Sequence, residues 1–60
     1  MIASVDIGRA EYIARTRSFE DDPVGLYDKL VQQVGQIRAA EIWALACEIY
    51  DEIHARQVGS

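Results

Sequence analysis

Apolar residues recur along this chain with the spacing of helices. From Ser4 to Arg17 (SVDIGRAEYIARTR), Ile7, Ala10, Ile13 and Ala14 form a stripe of i, i+3, i+4 and i+7 spacing, the mark of an amphipathic helix. That pattern predicts a first helix over 4–17. Ser4 is a candidate N-cap, and Asp6 sits in the first turn, where a negative charge suits the helix dipole. Gly8 opposes this, at about 1 kcal/mol relative to alanine. A competing reading makes Ile2–Ile7 a short strand, with Val5 and Ile7 alternating against Ser4 and Asp6; helix is preferred.

Residues 18–22 read as a connection, and a second helix opens in SFEDDPVG. Asp22 followed by Pro23 places an N-cap residue before proline at the first helical position. Tyr27, Leu30, Val31 and Val34 then repeat the helical spacing, and Phe19 is positioned to fold back onto the new helix. After Gly35 a further stripe runs through Ile42, Leu45, Ala46, Ile49 and Ile53. At about 100° per residue, Trp43 and Tyr50 share a neighbouring face, and Ala40, Ala44 and Cys47 a third. The stretch IWALAC (Ile42–Cys47) has no charge at all. A helix apolar around most of its girth is a buried one.

Gly35 either ends the second helix or lies inside a single helix over 23–56. No Ser, Thr, Asp or Asn stands between Val34 and Ile42 to cap a new start, so the continuous form is expected, roughly 50 Å long. Residues 57–60 form a tail. The chain is therefore expected to be all-α: a short N-terminal helix and one long helix, broken or not at Gly35, in a helical hairpin. Such a hairpin is too thin to cover its own long helix, so a homodimer completing a four-helix-type bundle is expected.

Composition sharpens that expectation. Sixty residues make one domain, and a domain of this size buries only about 60% of the surface its unfolded chain exposes. Small scaffolds rely on disulfides, a metal or a partner chain. Cys47 is the only cysteine, so no disulfide forms within the chain, and Cys47 with His54 cannot supply four zinc ligands. Oligomerisation remains. Half the residues are apolar, enough to drive folding.

Six basic against ten acidic residues give a net charge of −4, which argues against nucleic acid as the main partner. The charge is uneven: Arg9, Arg15 and Arg17 make the first third basic, while Glu48, Asp51 and Glu52 make the far end acidic. No signal peptide or membrane span is visible. A lone thiol without a signal points to the cytoplasm.

One constellation has the letters of chemistry. In CEIYDEIH, Glu48, Asp51 and His54 share part of one side with Glu41, and Asp51-x-x-His54 has the i, i+3 spacing with which di-iron bundles build sites. The plainer reading, a solvated helix end with His54 near the negative pole of the dipole, is preferred, so no metal and no cofactor is assigned. Glu48-x-x-Asp51 is also half of the pattern in all-α nucleotide pyrophosphohydrolases, but the companion Glu-Glu-x-x-Glu is absent and that family is not carried over. Cys47 lies mid-helix between Ala46 and Glu48, with nothing to stabilise a thiolate, and is expected to be packed in the interior. Without a phosphate loop, a nucleophile–base pair or a metal-spaced cysteine set, the chain is not expected to be an enzyme.

Tyr12, Phe19, Tyr27, Trp43 and Tyr50 at helical spacing read as core or as interface anchors. The expected interface comprises Tyr27, Leu30, Val34, Ile42, Trp43, Leu45, Ile49, Tyr50 and Ile53. The expected function is a small protein-binding module, an adaptor, inhibitor or regulatory subunit, acting as a homo-oligomer with itself and an unidentified protein as partners. Two alternatives stay open. Arg9, Arg15, Arg17 and Arg38 are candidates for phosphate contacts, and LYDKLVQQVG-QIRAAEIW is similar to the helix–turn–helix part of ribbon–helix–helix dimers. That resemblance implies a DNA-binding regulator or antitoxin-like dimer, although here an Arg-rich segment separates the candidate strand from the helices. The other alternative is a metal-binding helical oligomer built on Glu48, Asp51 and His54.

Overall fold

The computed structural model describes residues 4–59, with side chains as far as Arg56. The fold is all-α. Helix α1 spans Ser4–Arg15, α2 Ser18–Asp21, α3 Pro23–Val34 and α4 Gln36–Gly59. Residues 4–7 are helical rather than extended; Ile2, Ala3 and the position that would cap α1 lie outside the described residues. On α1, Ala10, Ile13 and Ala14 are buried as their stripe requires. Ile7 is 42% exposed, and Asp6 is buried beside that stripe.

The expected connection contains a helical turn of its own. Thr16 N–H still donates to Tyr12 O at 3.0 Å, the chain then turns, and Asp22 N–H donates to Ser18 O at 2.8 Å to close α2. Next, Asp22 caps α3: its Oδ1 accepts from Gly25 N–H at 3.1 Å, with Pro23 in the first turn. A Cβ at Gly25 would meet the Asp22 carboxylate as it is placed here, so that side chain would have to shift to keep the cap.

The expected continuous helix is not formed: the chain breaks at Gly35. Gly35 has φ 90° and ψ 163°, a positive-φ conformation that side-chain-bearing residues rarely adopt. Its N–H donates to Val31 O at 2.8 Å and its carbonyl accepts from Ala39 N–H at 2.9 Å. One glycine thus closes α3 and opens α4, which is why no Ser, Thr, Asp or Asn is needed between them.

Helices α1 and α3 both pack closely against α4, while their own backbones stay farther apart from each other. The core holds Ala10, Ile13 and Ala14 from α1, Leu30 from α3, and Ala39, Ile42 and Ala46 from α4. Most of these side chains are alanines, which let helices approach closely but bury little area. Two polar ties lock the arrangement. Arg38, in the first turn of α4, donates from Nη2 to Asp6 Oδ1 at 2.7 Å and from Nε to Oδ2 at 3.3 Å. Arg9 reaches from α1 to α3, donating from Nη1 to Gln33 Oε1 at 3.0 Å. The molecule measures 37 × 27 × 13 Å, no thicker than two stacked helices at about 8–10 Å between axes. Its accessible surface is 4487 Å², against about 3900 Å² for a compact monomer of this mass.

Candidate functional site

The open arrangement leaves two faces of different chemistry. The first belongs to α4. Of IWALAC, Ile42 and Ala46 are buried and Trp43 and Leu45 half-buried, but Ala44 and Cys47 stand exposed. The expectation of an interior Cys47 is therefore corrected: the thiol is free and exposed, because it lies on the side of α4 turned away from α1 and α3. With Ile37, which is 79% exposed, and Ala40, these residues form a strip down the outside of α4. Glu41, Glu48, Asp51 and Glu52 flank it, all exposed. The basic residues of α4, Arg38 and Arg56, lie at the edge of this face, within one turn of Glu41 and Glu52 at about 100° per residue.

The second face is a groove between α1 and α3, of about 510 Å³. Ile13 and Leu30 form its apolar floor, Arg9 and Tyr12 stand on the α1 wall, and Lys29 and Gln33 on the α3 wall. Tyr12 is 70% exposed. Among the described residues, no carboxylate lines the groove. Arg9 Nε is buried without a hydrogen-bond partner, an unsatisfied donor on a charged group.

Between α2, α3 and α4 the aromatic residues form a continuous chain. Tyr27 meets Trp43 edge-on at 5.2 Å, Phe19 lies 5.0 Å from Trp43 and 5.1 Å from Tyr50, and Tyr50 lies 4.2 Å from the His54 ring. The Tyr50 hydroxyl donates to Glu20 Oε1 at 2.8 Å. That hydrogen bond, then burial and the nearby charges of Glu20 and Asp51, pushes the phenol pKa up. His54 Nε2 stands 3.8 Å from the same oxygen, an ion pair when the imidazole is protonated.

The residues singled out by sequence are distributed as follows. Leu30 and Ile42 are buried within a single copy; Tyr27, Val34, Trp43, Leu45, Ile49, Tyr50 and Ile53 are half-buried. Among the described residues, no three His, Cys, Asp or Glu side chains gather as a metal site: Glu48 and Asp51 face outward while His54 turns to Tyr50 and Glu20. Of the arginines considered for phosphate, Arg9 and Arg38 are engaged within the chain, and Arg15 and Arg17 are exposed. No helix among the described residues is long and apolar enough to cross a membrane. The groove was missed by sequence reasoning. Its only local signal is the i, i+3 spacing of Arg9 and Tyr12 on the side of α1 next to its apolar stripe. Comparison with known protein families, curated proteins and solved structures finds no match for this chain.

Proposed function

We propose that the chain is a small protein-binding module, an adaptor, inhibitor or regulatory subunit rather than an enzyme, that acts as a homo-oligomer with four-helix-type packing where copies meet. The observation that carries this reading is the strip Ile37, Ala40, Ala44 and Cys47, which the chain leaves in water on the outside of its longest helix. Small side chains on a helix face let a second helix approach closely, and a flanking row of carboxylates gives the contact a sign. The exposed thiol of Cys47 suits a reducing compartment such as the cytoplasm.

The test is affinity capture from native extract with the full chain as bait, in parallel with Ala44→Arg, a substitution at an exposed position. A specific protein retained by the wild type and lost with Ala44→Arg is expected. Equal recovery by both baits, or by neither, contradicts the assignment.

A further inference from the structure

The two open faces have complementary chemistry, and we propose that they are made for each other: the outside of α4 of one copy seats in the α1–α3 groove of the next, so that copies stack head to tail. This rests on the self-association proposed above and specifies its geometry.

The groove offers Arg9 and Lys29 over an apolar floor and, among the described residues, contains no acid. The outside of α4 offers Glu41, Glu48, Asp51 and Glu52 around small apolar residues, with Arg38, already paired with Asp6, and Arg56 only at its edge. Charge therefore matches only when unlike faces meet. A groove laid on a second groove sets Arg9 and Lys29 against their own copies. Two α4 faces laid together do the same with four carboxylates each. Both two-fold arrangements oppose like charges, which disfavours them.

Lengths agree as well. The groove runs between two helices of 12 residues each, about 18 Å. From Ala40 to Asp51 the α4 strip extends about 17 Å. A helix seated there packs on α1 and α3 from the side opposite to α4, so α1, α3 and α4 of one copy and α4 of the next form a four-helix arrangement.

Topology then dictates the product. The groove lies on the side of α4 that carries Ala39, Ile42 and Ala46, and the acidic strip on the opposite side. A contact between opposite sides of one molecule is heterologous and does not close as a pair. A dimer is the first member of a series, with one groove and one strip still free.

The test is sedimentation velocity of the full chain over a range of concentrations at low salt, with two charge-reversal variants: Arg9→Glu/Lys29→Glu in the groove and Glu48→Lys/Asp51→Lys on the strip. Wild-type average mass is expected to climb above 6.7 kDa with concentration and to fall back on adding salt. Each variant alone is expected to stay monomeric, and an equal mixture of the two to associate again, since each restores the other's missing partner. Circular dichroism checks that helicity is kept; should the groove pair lose it, Lys29→Glu alone, at an exposed position, takes its place. If either variant alone associates like the wild type, head-to-tail stacking is overturned while self-association stands. A wild type that remains monomeric throughout overturns both.

Discussion

The ring of Phe19 stands 5.0 Å from that of Trp43, tilted by 47°, and joins the one-turn helix α2 to the longest helix of the fold. Phe19 also touches Tyr50 one step further along α4, so a single side chain anchors the corner between α1 and α3. Aromatic pairs of this geometry add about 0.5–1.5 kcal/mol beyond the area they bury. Phe19→Ala is therefore expected to destabilise by about 2–3 kcal/mol, below the range for a fully buried phenylalanine because this one is half-buried. Chemical denaturation followed by Trp43 fluorescence checks it, and an unchanged midpoint would remove Phe19 from the core.

The Tyr50–Glu20 hydrogen bond makes stability depend on alkaline pH. The bond favours the neutral phenol, so the folded pKa is raised above its ordinary value of about 10. Stability from this contact is complete below that value and is lost as pH climbs through the folded one. Thermal melts of wild type and Tyr50→Phe should differ at pH 8, and the gap should begin to shrink only as pH rises past about 10. A gap that stays constant over that range would show that the hydroxyl contributes nothing specific.

Gly8 and Gly35 should respond to alanine with opposite signs. Gly8 lies within α1 with open space where a Cβ would stand, so Gly8→Ala is expected to stabilise by about 0.5–1 kcal/mol through helix propensity. Gly35 holds φ 90°, and Gly35→Ala is expected to cost about 1–3 kcal/mol in backbone strain. Melting temperatures decide this. A Gly35→Ala protein as stable as wild type would revive the uninterrupted helix over 23–56.

Removing either end of the Asp6–Arg38 pair should not be equivalent. Asp6 is buried and its carboxylate accepts hydrogen bonds from Arg38 Nε and Nη2, whereas Arg38 is half in solvent. Arg38→Met leaves a carboxylate covered and unpaired, while Asp6→Ala releases a guanidinium that water can solvate. The arginine substitution should give the larger shift in denaturation midpoint; equal shifts would mean that Asp6 is better hydrated than its burial implies.

Where the chain's own periodicity carries the information, the fold was legible. The Asp22-Pro23 start, the buried positions Ala10, Ile13, Leu30, Ile42 and Ala46, and the all-α class all follow from local pattern. The break at Gly35 did not, because the cap is made by backbone groups of the glycine itself and leaves no side-chain signature. Neither did the Asp6–Arg38 pair, which joins residues far apart in the chain. Cys47 illustrates the remaining gap: a helical wheel lists the faces of α4 and cannot say which one the rest of a short chain will reach. The candidate faces depend on that reach, and on α1 and α3 standing apart, so they required the three-dimensional arrangement.

The most direct measurement is molar mass in solution against protein concentration, for wild type and Ala44→Arg side by side. Wild type should grow in mass with concentration, while Ala44→Arg, equally helical, should hold at the mass of one chain. A compact, heat-resistant wild type that stays a monomer at every concentration would contradict the account, because the exposed strip of α4 would then need no cover.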